Sequence, residues 1–210
     1  MKFIITLITI FGTLTCVNAQ WQVGPKASIG FITQKASAIP VMPTTDYLTY
    51  EMAFVGSSTV KSIGFMAYND LGPVFLQTEF MATSYDLDFS IATYKNINSP
   101  DLYKTQYYMI EIPFAAGVQI KNFKVGLGPV FEINVDKKSD LSTMDNYIDS
   151  AQKTEFGFHS LIGYRKGIMH FDFKYVYKFS SIVDDFALGN DQLMYNKSAN
   201  RFSISVGVAF

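Results

Sequence analysis

The sequence predicts an all-β protein, an eight-stranded antiparallel up-and-down transmembrane β-barrel with short periplasmic turns and four long extracellular loops. Three observations lead there. Apolar residues recur at every second position in eight segments, the pattern of a strand whose two faces meet different solvents. Tight turns and long polar connections alternate without exception along the chain. The third is composition: 16% of the 210 residues are aromatic, with 19 Phe and 13 Tyr, against 17% charged. Such a chain favours strands and apolar interfaces over exposed helices.

The first element is not part of the fold. Residues 1–19, MKFIITLITIFGTLTCVNA, carry one early lysine, an uncharged run from Phe3 to Leu14, and Val17-Asn18-Ala19 before Gln20. This reads as a secretory signal peptide cut after Ala19. The run is too short for a transmembrane helix, which takes about 20 apolar residues. The only cysteine, Cys16, lies within it and follows Thr13-Leu14-Thr15, which is not the pattern of a lipoprotein signal. A mature domain of residues 20–210 then has no disulfide and no thiol chemistry.

Eight strands are expected near residues 22–32, 59–69, 73–83, 106–120, 123–133, 153–165, 168–179 and 200–210. The plainest is HFDFKYVYKF, where Phe171, Phe173, Tyr175, Tyr177 and Phe179 share one face and His170, Asp172, Lys174, Val176 and Lys178 the other. The turns Asn69-Asp70-Leu71-Gly72, Lys121-Asn122 and Arg165-Lys166-Gly167 have hairpin chemistry. Residues 33–58, 84–105, 134–152 and 180–199 read as the long loops. Short turns on one side, long loops on the other and an even strand number describe an outer-membrane barrel. Closure leaves no edge whose N–H and C=O groups lipid would strand. Pro113, within a strand, suggests a bulge or local bend. Phe202 and Phe210, on the alternating last strand RFSISVGVAF, are expected to act as a signal for barrel-assembly machinery.

The segment YYMIEIPFAAGVQI, residues 107–120, followed by a two-residue turn and FKVGLGPVFEI, resembles the PorT-type outer-membrane β-barrel family of Bacteroidetes. The resemblance rests on the Ile-Glu-Ile-Pro strand and the Gly-Pro-aromatic strand. It implies an eight-stranded outer-membrane barrel and no particular activity.

Placing the aromatic face outside puts the charges inside. By parity the inward set holds Lys26, Glu79, Glu111, Lys124, Glu132, Glu155, His159, Arg165, Asp172, Lys174, Lys178 and Arg201. Acids and bases nearly balance, which suggests a salt-bridge network in a lumen that side chains fill. Tyr68, Tyr108, Tyr164, Tyr177 and Phe210 would form interfacial girdles. His159 has no serine or carboxylate partner in a catalytic arrangement, and GLGPVF lacks the third glycine and the helix of a phosphate loop. No catalytic residue, metal site or cofactor is expected, and the glycines of GLGPVF are read as relieving crowding inside.

The net charge of −1 excludes a global basic field for nucleic acid. The expected partners are outer-membrane lipid, the assembly machinery, and an extracellular or envelope protein met through the loops. Tyr47, Tyr50 and Phe54, in the apolar first loop, are the candidate binding surface. The function read from this is structural or interactive, with a plugged lumen. A narrow solute channel and a secreted lipocalin-like carrier with its apolar face inward are the alternatives.

Overall fold

The computed structural model describes residues 21–33, 38–41, 50–93, 101–140, 154–179, 185–188, 191–194 and 200–210. The predicted signal peptide and Tyr47 lie outside them. Among the described residues, twelve strands run in chain order: β1 Trp21–Ile32, β2 Ala38–Val41, β3 Tyr50–Ser57, β4 Val60–Asp70, β5 Val74–Thr93, β6 Asp101–Ile120, β7 Phe123–Ser139, β8 Thr154–Lys166, β9 Met169–Lys178, β10 Asp185–Leu188, β11 Asp191–Met194 and β12 Arg201–Val208.

Eight of these close a ring. Each of β1, β4, β5, β6, β7, β8, β9 and β12 pairs antiparallel with the next, and β12 returns to β1 with Lys26 opposite Gly207 and Ile32 opposite Arg201. The eight predicted strand segments all fall within this barrel-like ring. The tight turns collect at one end, and each carries a residue with positive φ: Gly72 at 82°, Lys121 at 56° and Gly167 at 61°. Glycine takes that conformation without a Cβ clash. In the first turn the Asp70 carboxylate accepts the Gly72 N–H at 3.0 Å. Trp21 and Phe210 lie at this end too, where Val23 and Phe210 exchange backbone hydrogen bonds of 3.1 and 3.3 Å.

The other end departs from the sequence reading. Residues 84–93, 101–105 and the first part of 134–152 are not loop: β5 and β6 are each 20 residues long and β7 is 17. Nor is the first long connection only a loop, because β3 continues the line of β4 along β5 and β2 pairs on its far side. Tyr50 and Phe54 therefore sit on a strand, opposite Thr93 and Phe89 of β5. Twenty residues at about 3.4 Å each, tilted about 45°, reach well past an apolar band of about 25 Å. The extra length stands as a wall on the long-strand end.

Pro113 makes no bulge. The β6–β7 register is the same on either side of it, from Met109 opposite Asn134 to Ala116 opposite Leu127. A closed ring absorbs one missing N–H as a local gap in the ladder. The register shifts instead between Tyr108 and Met109, where Val135 is the additional residue on β7.

Burial follows the alternation. Along β9 every second side chain from His170 to Lys178 is buried and the residues between them are mostly exposed. Exposed large apolar side chains outnumber the buried ones among the described residues. They form an outer coat in which cross-strand rings meet, as in Phe131 with Phe156 at 5.1 Å and Phe123 with Tyr164 at 5.2 Å. Phe202 is half-buried in this coat, against Tyr175 at 4.5 Å and Phe31 at 5.6 Å.

Candidate functional site: the charged interior

Five cations and five carboxylates occupy the interior and alternate along one connected path. At its lower end, towards the tight turns, Lys124 Nζ lies 2.8 Å from Asp172 and donates to Gln77 Oε1 at 2.7 Å. Lys26 Nζ joins Asp172 at 2.5 Å to Glu79 at 2.7 Å. Lys174 lies 2.6 Å from the other oxygen of Glu79 and 4.0 Å from Glu111. Arg201 then spans Glu111, at 2.9 Å, and Glu132. Lys178 closes the series between Glu132 at 2.6 Å and Glu155 at 2.7 Å.

Every one of these ten residues is buried. A single buried ion costs several kcal/mol in lost hydration, and a pair offsets this only with good geometry and further hydrogen bonds. The alternation supplies both. Gln77 Nε2 donates to Glu79 at 2.8 Å and to Asp172 at 3.1 Å, and Asn134 donates to Glu155 at 3.2 Å. Seven strands contribute the charges, so the path ties the ring across its lumen rather than along one ladder. Room for them comes from small residues. A Cβ on Gly163 would meet Asp172 Oδ1 at 2.3 Å and the Lys124 side chain at 2.4 Å.

Aromatic layers bound the charges on both sides. Below, Tyr68 and Phe75 are fully buried and stack at 5.7 Å in a cluster with Met66, Ala115, Leu161 and Ala209. Tyr68 thus points inward, not into an outer girdle. Its parity with Ser62, Gly64 and Met66 carried that signal, against outward Ile63 and Phe65. Cations lie on both sides of the pair. Lys124 Nζ is 5.2 Å from the centre of the Tyr68 ring, and the Arg165 guanidinium is 4.9 Å from it. Above, Tyr85 and Tyr107 stack at 5.2 Å, with Leu87 and Phe89 buried further along β5.

Arg165 is not a member of the interior network. It is half-buried at the short-turn mouth and pairs with Asp70 at 2.5 Å. Strand β8 ends at Lys166, so a residue with inward parity there leans into the opening.

His159 Nε2–H donates to the Phe114 carbonyl, 2.9 Å away. His170, which the inward set omitted, is fully buried with Nδ1 3.2 Å from Lys124 and its ring centre 4.7 Å from that of Tyr68, edge to face. Neither imidazole meets a serine or carboxylate in a nucleophile–base arrangement. No group of three His, Cys, Asp or Glu residues among those described is placed to hold a metal ion.

A void beside Glu111, Lys174 and Arg201 measures about 10 Å³, near the least that one water occupies. On the long-strand wall, Lys104 pairs with Asp86 at 2.7 Å, and this carboxylate holds the exposed ammonium above its ordinary pKa. No protein-family model matches the sequence, and no curated protein matches it either.

Proposed function

We propose that this chain is an outer-membrane β-barrel of structural or interaction type, with a sealed interior, acting through its outer wall and long-strand end. The observation that carries the reading is the inverted distribution of polarity. The ring exposes Phe, Ile, Val and Leu on its outside and buries a charge path inside, the reverse of a barrel that lives in water. The resemblance of residues 107–133 to PorT-type barrels points the same way. In this reading the tight turns face the periplasm and the β5–β6–β7 wall projects outward with the long connections. Outer-membrane lipid and the assembly machinery are its partners, with an envelope or extracellular protein meeting the projecting end. The protein is not an enzyme and takes no cofactor.

The charge path and its aromatic bounds disfavour a solute channel, which needs continuous water. A lipocalin-like carrier needs an apolar cavity, and here the interior is charged and filled. The test is expression of the full chain, isolation of the outer-membrane fraction, and comparison of gel mobility with and without boiling. A membrane-bound band that shifts on heating, together with no steady conductance in planar bilayers, is the expected result. A soluble protein would overturn the membrane reading, and a steady conductance would overturn the sealed interior.

A further inference from the structure

The outer wall is not uniformly convex. Two cross-strand rows on its long-strand half place a small residue on β5 between large ones on β4 and β6. Ala82 lies between Ile63 and Ile110, and Ser84 between Lys61 and Tyr108. The bulge opposite Tyr108 turns Val135 outward, where it is 63% exposed, and completes the far side. The result is a groove of about 470 Å³ with an apolar lining. Its upper end is cationic. Lys61 lines the groove, and Lys138 Nζ lies 5.8 Å from the centre of the Tyr108 ring. Both lysines are exposed, and Lys61 forms no ion pair with the described residues. Asp136 is the acid opposite Tyr108 in the register, and Asp86, at the level of Lys138, is held by Lys104 at 2.7 Å.

A second outer groove, of about 300 Å³, lies towards the short-turn end between Leu76, Phe114, Ala116 and Leu127. No charged residue lines it. The two grooves therefore share an apolar character and differ in the cations, which separates chain binding from headgroup binding within one molecule.

We propose that the groove over Ala82 and Ser84 is a specific site for a phosphorylated lipid, with an acyl chain along Ile63, Ala82, Ile110 and Val135 and the phosphate between Lys61 and Lys138. The inference rests on the membrane reading above. An acyl chain matches an open apolar groove on a lipid-facing wall. A phosphate matches two exposed ammonium groups at its end, where lysine acts as a point charge. The groove lies below the projecting wall, so the headgroup would sit at the level where β4 ends and β3 takes over β5.

The experiment is native mass spectrometry of the full-length barrel in detergent, with dioleoylphosphatidic acid and dioleoylphosphatidylcholine in competition. The wild type should retain the phosphatidic acid at least tenfold better. Lys61→Ala with Lys138→Ala should abolish the preference, and Ala82→Trp should abolish it by filling the groove. Ala116→Phe, in the second groove, should leave it unchanged. Heat-shifted gel mobility checks the fold of each variant, and the double lysine variant decides alone if Ala82→Trp does not fold. A membrane-embedded, heat-shifting barrel without the preference, or one whose preference survives loss of both lysines, overturns this inference and leaves the membrane reading standing. A chain that stays soluble overturns both.

Discussion

Removing Arg201 should unfasten the interior more than its share of contacts suggests. Arg201→Met leaves Glu111 with only Lys174, 4.0 Å away, and leaves Glu132 to Lys178 alone. Breaking one partner from a buried ion pair costs about 3–5 kcal/mol, because the other charge stays buried. Glu132→Leu is milder, since Arg201 keeps Glu111 at 2.9 Å and Lys178 keeps Glu155 at 2.7 Å. Loss of hydrogen bonds to a charged group puts it at about 1.5–3 kcal/mol. The double variant removes one charge of each sign and leaves four acids with four bases. Apolar replacement of a complete buried pair is often neutral or stabilising, so the double variant should recover most of the loss, with a coupling energy of about 2–3 kcal/mol. The assay is reversible urea unfolding of the barrel in lipid vesicles, followed by tryptophan fluorescence of Trp21. Single losses that simply add, within about 0.5 kcal/mol, would refute an interdependent network.

Three further outcomes follow from the same geometry. Val206→Arg, on the outer face of β12 and 43% exposed, should destabilise the inserted barrel by about 2–4 kcal/mol if near the midplane, read as loss of the unboiled, fast-migrating gel band. Gly126→Val should cost about 1–3 kcal/mol by overpacking, because a Cβ there would meet the Phe75 ring at 2.7 Å; a lowered heat-shift midpoint checks it, and pairing it with Phe75→Leu should restore the midpoint. Tyr68→Ala removes the ring between Lys124 and Arg165, and should cost about 3–5 kcal/mol while admitting water to the lower interior, measured as faster hydrogen exchange at His170.

The sequence by itself determined the eight strands of the ring, the tight turns and the face each charge shares. Period two and turn chemistry are local, so they can be read a few residues at a time. The parity of Lys26, Glu79, Asp172 and Lys174 needed nothing beyond their own strands, and the structure buries them all. Length and partnership were not local. Residues 84–93 and 101–105 are polar enough to pass for loop, yet they are held as strand by pairing between β5 and β6 that runs as far as Ile91 opposite Asp101. Which acid meets which base depends on the stagger of eight strands around a ring, a property of closure and not of any one strand. The same closure decided that Phe75 fits inside. Gly117 and Gly126 stand opposite each other in the register, and a Cβ on either would come within 2.8 Å of its ring. Tertiary structure alone also made the groove on the wall, because a small residue leaves a hollow only when its neighbours across two strands are large.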